Sequence, residues 1–294
     1  MQFVALTPNL AIDRTLRVER PVDAGTLHRI TAVHEAAGGK GVNVARVLSA
    51  LGSPVTVAGF LGGFNGQKFR HLLAADGLTG AFHEVVGETR ECQIVLGDDP
   101  HPTEFNEPGP IVTKADWRLL VAGLPPMGAR QFVVAGSLPT GLSPGEYADL
   151  LAELPGPVVV DTSGAALAAA VRAKPALIAP NRAELQALVP HTGDPLAAAR
   201  AVYEEHGVPV LLTLGAAGAA YVGESVHQVP APRVETVNPV GSGDALLAAF
   251  LYARATGWEA PAALRLGVAA GAENAAAGGG ARVTRAAIFA RYQA

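Results

Sequence analysis

Short apolar segments rich in β-branched residues alternate along the chain with longer segments of helical periodicity, and this alternation limits the folds that the sequence can adopt. The segments that predict strands are FVAL (3–6), VTVAGF (55–60), QFVVAG (131–136), PVVVDT (157–162) and VPVLLTL (208–214). Helical patterns cover 41–51, 65–76, 143–154, 164–173, 181–189, 194–206, 243–257 and 261–277. Because strands this apolar are covered on both faces, the sequence predicts an α/β fold with a mainly parallel sheet and helices on each side. Ligands of such sheets gather at the carboxyl ends of the strands.

Two segments, about 14–34 and 80–110, break this alternation. Neither has a helical pattern, and the second contains the strand-like pieces AFHEVV, ECQIVL and TEFNEPGP. A helix and a strand of the main sheet separate the two segments in the chain. We therefore expect them to pair into a small separate β-sheet, which is suitable material for a lid.

The composition excludes several classes of function. The 294 residues are 49% hydrophobic, enough for one large α/β domain or two small ones, and the net charge of −4 argues against binding to nucleic acid or to a membrane surface. Cys92 is the only cysteine, which excludes an intrachain disulfide. The N-terminus lacks the features of a leader, and no stretch reaches the roughly 18 apolar residues of a membrane span. We expect a cytoplasmic protein.

The stretch VNPVGSGDALLAAFL (237–251) places an acid, Asp244, directly behind a glycine loop and inside the first turn of a helix. Asp is common near helix N-termini, where it meets the positive end of the helix dipole, so a plain cap is one interpretation. The other is that the N–H groups of the loop hold an anion while Asp244 takes a proton beside it. The stretch alone does not decide between them.

A second glycine motif, AAGGKGVNVARVLSALG (36–52), begins a helix with Gly38, Gly39 and Lys40. The glycines allow backbone to approach a ligand closely, and the lysine adds a full charge to the positive end of the helix. The motif therefore predicts an anion site. Asn43, in the first turn, can both donate and accept hydrogen bonds, which suits sugar hydroxyls.

Two charged residues lie near predicted strands. Asp13 follows the first strand in TPNLAID, where it is either a site residue or a solvated or turn-forming acid. In TRECQIVL (89–96), strand alternation puts Arg90 on the same face as Cys92 and Ile94. A cation on an apolar face needs an anionic partner, which is either a ligand or a structural ion pair.

Two further motifs have both a functional and a structural interpretation. In IAPNRAELQAL (178–188), Asn181 and Glu184 lie one turn apart at a helix start, which also fits an ordinary capping box. TLGAAGAAYV (213–222) is a strand that enters a glycine turn, suited either to a nucleotide or to a plain hairpin. The phosphate loop GxxxxGK[ST] does not occur, and no GxGxxG follows the first strand.

Taken in order, GGKGVNVARVL, GSLPTGL (136–142), DTSG (161–164), PNRAEL, TLGAAG and NPVGSGDALLAAF resemble the ribokinase-like (PfkB) sugar kinases over essentially the whole chain. TPNLAID, TR at 89–90, TEFNEPGP (103–110) and ADW (115–117) are similar to the branch that contains 1-phosphofructokinase and tagatose 6-phosphate kinase. The resemblance implies an ATP-dependent kinase of a ketohexose phosphate, with Mg²⁺. It also implies one three-layer α/β/α domain over residues 1–294, whose β lid often makes a dimer contact, so we expect a homodimer.

The resemblance further implies a role for each matching residue. Asp244 would be the catalytic base, beside an anion hole made by the N–H groups of Gly241, Ser242 and Gly243. Asp13, Gly39 and Asn43 would hold sugar hydroxyls with Gly38 beside them, while Lys40 and Arg90 would face the phosphate already on the sugar. Asn181 and Glu184 match the site for magnesium and the nucleotide phosphates, with Glu184 as the magnesium residue; Thr213, Gly215, Gly218 and Asn274 would line the nucleotide pocket.

Departures from the family pattern leave the identity of the sugar substrate undecided. Ser242 replaces the usual Ala but keeps the backbone donor, and NLAID replaces NPAID or NPALD. Cys92 stands where 1-phosphofructokinases commonly have Asn and where tagatose 6-phosphate kinases often have Cys, whereas TEFNEPGP favours fructose 1-phosphate. A nucleoside or other sugar kinase of this fold and a catalytically silent sugar-phosphate sensor remain open, although the presence of Asp244 argues against the sensor.

Overall fold

The computed structural model describes residues 1–97, 103–124, 130–190 and 192–294. Its strands are β1 (Gln2–Thr7), β2 (Ala11–Val18), β3 (Ile30–Gly38), β4 (Val55–Leu61), β5 (Gly80–Glu84), β6 (Arg90–Leu96), β7 (Thr103–Asn106), β8 (Arg130–Ala135), β9 (Val158–Asp161), β10 (Leu177–Ile178), β11 (Val210–Thr213), β12 (Ala219–Val222) and β13 (Val226–Val229). Its helices are α1 (Lys40–Ala50), α2 (Gly63–Ala75), α3 (Lys114–Ala122), α4 (Pro144–Ala152), α5 (Gly164–Arg172), α6 (Arg182–Leu188), α7 (Pro195–His206), α8 (Ser242–Ala255), α9 (Ala260–Ala277) and α10 (Arg285–Gln293).

The large sheet has the strand order β13-β12-β11-β10-β9-β8-β1-β4-β5 among the described residues. From β11 to β5 all neighbours are parallel, and at the other edge β12 pairs antiparallel with both β11 and β13. Strand β1 lies between β4 and β8, with Phe3 opposite both Val55 and Gln131. The predicted mainly parallel sheet is confirmed.

Helices cover both faces of this sheet, because the side chains of its central strands alternate between two apolar cores. On β1, Val4 and Leu6 face a core that includes Trp117 of α3 and Leu150 of α4. Phe3 faces the opposite core, which is formed with α1, α8, α9 and α10. The three-layer α/β/α architecture is therefore confirmed. Among the helices of the described residues, none combines the length and hydrophobicity that a membrane span needs.

The small sheet has the order β3-β2-β6-β7 and is drawn from both segments that break the alternation. It begins at Ala11 and reaches Gly38, so it extends beyond the predicted 14–34, and positions 98–102 of the second segment lie outside the described residues. We call this four-stranded sheet the lid sheet. The separate small sheet is confirmed.

Strand β5, which contains most of the AFHEVV piece, is not part of the lid sheet; the expectation that it would be is wrong. It pairs in parallel with β4 at the edge of the large sheet. An edge strand is covered unevenly: Phe82 contacts Phe69, whereas His83 contacts Asp116. The sequence of β5 therefore mixes apolar and polar residues, as a lid strand does. Helices α3 and α10 were not predicted from the sequence.

Candidate active site

A cavity of about 660 Å³ lies at the carboxyl ends of β1, β8 and β9, with the lid sheet along one side. Thr7, Asn9, Ser137 and Asp161 line it from these strand ends. The inner face of the lid sheet contributes Asp13, Arg90, Cys92, Ile94, Glu104 and Asn106. Asp13 and Arg90 were predicted site residues, whereas the residues at the strand ends had no predicted role.

Asp244 lies in this cavity, 6% exposed, in the first turn of α8. Its side chain makes no capping bond; instead its Oδ2 accepts a hydrogen bond of 2.7 Å from Nδ2 of Asn43. Burial and the nearby Asp161 raise the pKa of Asp244 to about 7, against the Asn43 hydrogen bond and the charge of Lys40, which lower it. This geometry does not support a plain cap, and the pKa of Asp244 suits a general base near neutral pH.

The glycine loop before α8 presents backbone donors to the same cavity. Gly241 has the left-handed φ of +83° that starts the helix, and the N–H groups of Gly241 and Gly243 have no hydrogen-bond partner within the described parts of the chain. The N–H of Ser242 donates to the carbonyl of Pro239 at 3.1 Å. The expectation that Ser242 contributes a free donor is therefore wrong, because the tight turn uses it.

Asn274 stabilises this loop from behind. The fully buried side chain donates to the Val240 carbonyl and to the Ser242 hydroxyl, both at 2.9 Å, and accepts from the N–H of Ala281 at 2.8 Å. Its polar atoms are thus engaged within the protein and it does not line either cavity described here. The expectation that Asn274 lines the nucleotide pocket is wrong.

Lys40 is the first residue of α1, after Gly39 at φ +119°. Its Nζ lies 2.6 Å from Oδ1 of Asp161 and 3.8 Å from Oε1 of Glu184. Burial alone would lower the pKa of Lys40, but these carboxylates hold it above its ordinary value. The charge of Lys40 is therefore already compensated by acids at the strand ends.

Arg90 has a different environment on β6. Its Nε and Nη2 donate to the carbonyl of Asn9 and its Nη1 donates to the carbonyl of Glu107, at 3.1–3.3 Å. Within the described residues it forms no ion pair, and two of its five N–H groups have no partner there. Lys40 and Arg90 share no partner among the described residues. That both face the phosphate of the sugar stays a prediction.

Asp13 faces the cavity from β2, beside Cys92, which in turn lies opposite Asn106. Burial raises the pKa of Asp13 to about 6, partly offset by Arg46 and Arg90, and burial raises the pKa of the Cys92 thiol to about 11. Gly38 has a role other than the expected approach to a ligand. A Cβ there would overlap the Asp13 carboxyl group, so this glycine makes room for an acid.

A second and more apolar cavity, of about 980 Å³, adjoins the first across Asn181, Thr213 and Gly243, which line both. Gly215 and Gly218 line it at the turn after β11, and Leu246, Val268 and Ala272 supply its apolar wall. The turn is also a true hairpin, since β11 and β12 pair antiparallel and a Cβ at Gly218 would overlap the Val229 carbonyl. The two interpretations of TLGAAG are thus compatible.

Asn181 and Glu184 form a capping box at the start of α6. The Glu184 N–H donates to Oδ1 of Asn181, and Oε2 of Glu184 accepts from the Asn181 N–H, both at 2.9 Å. The second carboxylate oxygen of Glu184 is the one near Lys40. The described residues contain no cluster of three acidic, His or Cys side chains that could hold a metal alone. A single carboxylate fits Mg²⁺, which keeps several waters and binds chiefly through phosphates.

Comparison with known proteins finds similarity to carbohydrate kinases. The profile of the pfkB family carbohydrate kinases matches residues 1–285. The chain is 37% identical over 271 residues to the 1-phosphofructokinase of Haloferax volcanii, covering 90% of this chain and 88% of that protein. It is 38% identical over 236 residues to the 1-phosphofructokinase of Escherichia coli strain K12, covering 77% and 75%. Crystalline phosphofructokinase-2 from Escherichia coli, in complex with potassium, matches with a TM-score of 0.90 at 27% identity over 99% of this chain and 98% of that one.

Proposed function

The chain belongs to the pfkB family of carbohydrate kinases, and we propose that it transfers the γ-phosphoryl group of ATP to the C6 hydroxyl of fructose 1-phosphate, giving fructose 1,6-bisphosphate and ADP. One observation carries the proposal. A single cavity contains a buried carboxylate, Asp244, beside free backbone donors, and an arginine, Arg90, that forms no ion pair with the described residues. A substrate with a hydroxyl at one end and a phosphate at the other matches both features.

Asp244 acts as the general base in this proposal. Its carboxylate accepts the proton of the attacking hydroxyl, while the N–H groups of Gly241 and Gly243 stabilise the negative charge of the transferring phosphoryl group. Positioning and charge neutralisation dominate phosphoryl transfer, so preformed donors at a helix N-terminus are suited to it. Asp13 and Asn43, with the backbone at Gly39, orient the ring hydroxyls.

We assign the two cations to different phosphates. Arg90 has two N–H groups without a partner in the described structure and binds the phosphate that the sugar already carries. Lys40 lines the first cavity, held by Asp161 and near Glu184, and we assign it to the charge on the transferring phosphoryl group. This replaces the interpretation in which both cations bind the sugar phosphate.

ATP occupies the second cavity, with its base on the apolar wall and its phosphates toward the shared residues Asn181, Thr213 and Gly243. Gly215 and Gly218 bring backbone close to it. Glu184 would hold Mg²⁺ through water and the ATP phosphates, and the ion would supply further neutralisation of their charge.

A coupled assay of ADP formation across fructose 1-phosphate, fructose 6-phosphate, tagatose 6-phosphate, fructose and adenosine tests the proposal. We expect the highest kcat/KM with fructose 1-phosphate and at least a 10²-fold loss of turnover in Asp244→Asn, with ATP binding kept within about tenfold. A best rate with fructose or adenosine would remove Arg90 from a phosphate site. Binding of sugar phosphate without any ADP formation would indicate the silent sensor.

Tagatose 6-phosphate kinase is the second candidate, favoured by Cys92 at the lid position beside Asp13. Either sugar offers one phosphate and one free primary hydroxyl, so the same two cations and the same base serve both. An epimer that leaves a buried polar group unpaired loses about 1–3 kcal/mol, or roughly 5- to 150-fold, so we expect a preference and not absolute exclusion. A higher kcat/KM for tagatose 6-phosphate would establish this candidate.

We also propose that the lid sheet pairs with that of a second copy to form a homodimer in the cytoplasm. Strand β3 is an edge strand, and Leu27, Ile30 and Val33 are 74%, 51% and 51% exposed, which is unusual for apolar side chains of a free surface. Sedimentation of wild-type protein and of Val33→Lys tests this. A monomeric wild-type protein would contradict it.

A further inference from the structure

We propose that Arg46 is a positioning residue for phosphoryl transfer: it locks the amide of Asn43 in the orientation that donates a hydrogen bond to Asp244. The proposal rests on the proposed role of Asp244 as the base. It concerns a residue that lies outside the substrate cavity and that neither the motif analysis nor the cavity lining assigns.

The contacts of the guanidinium leave little freedom. Arg46 is on α1, one turn after Asn43, and is 9% exposed. Its Nη1 donates to Oδ1 of Asn43 at 2.7 Å, and its Nη2 donates to the carbonyl of Ala37. Its Nε and Nη2 lie 2.9 Å and 2.8 Å from Oδ2 of Asp76. All three nitrogens of the fork are therefore engaged.

The orientation of the Asn43 amide follows from chemistry alone. A guanidinium has donors and no acceptor, so the atom of Asn43 that faces Arg46 must be the carbonyl oxygen. The amide nitrogen must then face the opposite way, where Oδ2 of Asp244 lies 2.7 Å from it. A carboxylate accepts that bond, so the locked amide favours the ionised form of Asp244, which is the form that a base requires.

Without Arg46 the amide could rotate. Its oxygen could then accept a hydrogen bond from protonated Asp244, so Asn43 would stabilise either protonation state. The lock therefore matters most where burial and the charge of Asp161 already favour the protonated acid. Arg46 offsets that tendency through Asn43.

Arg46 is itself anchored from the side of α1 away from Asp244. Asp76, at the carboxyl end of α2, bridges Arg46 and Arg282, whose Nη1 lies 2.7 Å from Oδ1 of Asp76. Although burial opposes it, the two arginines hold the pKa of Asp76 below its ordinary value, so the anchor stays charged. The chain of contacts runs from Arg282 through Asp76, Arg46 and Asn43 to Asp244.

Other charges also face these groups. Asp161 of β9, Lys40 of α1 and Asp13 of β2 act on Asp244, while Asp76, Arg282 and Asp13 act on Arg46. Arg46 could therefore influence the site through its charge as well as through the amide. The effect of the charge of Arg46 does not require Asn43, whereas the effect on the amide orientation does. A double-mutant cycle with Asn43 therefore separates the two effects.

The test compares the pH dependence of kcat in wild type, Arg46→Met, Asn43→Ala and the double variant. We expect Arg46→Met to move the acidic limb upward by about one pH unit, and to add no shift in the Asn43→Ala background. Arg46→Lys keeps a donor for Oδ1 and should stay within a few tenths of a pH unit of wild type. An unmoved limb in Arg46→Met, or an equal shift without Asn43, would overturn the proposal.

Arg285→Met serves as the matched control, because Arg285 donates to the Leu51 carbonyl and packs on Tyr252 and Phe289, away from Asp244. It should lower stability and leave the pH profile unchanged. A second readout is the ¹³C titration of the Asp244 carboxyl, identified by its loss in Asp244→Asn. This titration reports the lock even if Asp244→Asn keeps full turnover, so failure of the base assignment and failure of the lock are distinguishable.

Discussion

Asp244→Asn should make the protein more stable, and increasingly so as the pH rises. The carboxyl group is 6% exposed and its pKa in the folded chain is about 7, against 3.8 as its ordinary value in an unfolded chain. Folding therefore disfavours the ionised form. Below about pH 4, Asp244 is neutral in both states and does not lower the free energy of unfolding. As the pH rises through about 7, ionisation of Asp244 lowers that free energy.

The magnitude follows from the difference between the two pKa values. Three pH units at about 1.4 kcal/mol each correspond to a destabilisation of about 4 kcal/mol above pH 8, of which about a third is already present at pH 5. Asn removes this term, because it carries no charge at any pH. It also keeps an oxygen that can accept the hydrogen bond from Asn43.

Urea denaturation of wild type and Asp244→Asn at pH 5 and pH 8.5 measures the effect. We expect the variant to gain about 2–3 kcal/mol more at pH 8.5 than at pH 5, while losing at least 10²-fold in kcat. Titrating groups that do not interact with Asp244 are common to both proteins and cancel in the comparison. An equal stability difference at the two pH values would show that Asp244 titrates normally and would refute the account of its environment.

Three further predictions address the other roles. Arg90→Ala should raise the KM for fructose 1-phosphate by about 10- to 100-fold and the ATP KM by less than about twofold; equal effects on both would place Arg90 outside the sugar site. Lys40→Met should lower kcat by about 10²-fold with little change in the fructose 1-phosphate KM, whereas a rise in that KM like the one in Arg90→Ala would return Lys40 to the sugar phosphate. Gly38→Ala should lower the free energy of unfolding by about 1–3 kcal/mol in denaturant titrations, because its methyl group meets a carboxyl group. Gly145→Ala, in a helix with open space around it, is the control and should not destabilise; equal losses would contradict the packing argument.

Periodicity was sufficient to predict the architecture, because fully covered parallel strands have an unmistakable apolar composition. It failed for β5, where an edge strand with one polar and one apolar side has the pattern of a lid strand. It also missed α3 and α10. In α3 the apolar Leu119 is 57% exposed, and in α10 Ile288 is the one buried residue, so neither helix has a clear apolar stripe.

The site was predicted where a glycine motif marks a helix start, as at Lys40 and Asp244. Ser137 and Asp161 were given no role, although they lie at the carboxyl ends of β8, which neighbours β1, and of β9, the next strand, a position that could have identified them. The hydrogen-bond partners could not be predicted. Arg46 and Asp76 come from different helices, and only the folded chain brings them together behind Asn43.

The most direct test of the central claim is ³¹P NMR of the wild-type protein with Mg²⁺, ATP and fructose 1-phosphate. We expect the C1 phosphate signal to persist while a second phosphomonoester signal, that of fructose 1,6-bisphosphate at C6, grows in equal amount with ADP. Release of inorganic phosphate with ADP and no new phosphomonoester would contradict it, because the acceptor hydroxyl would then not be the one that Asp244 activates.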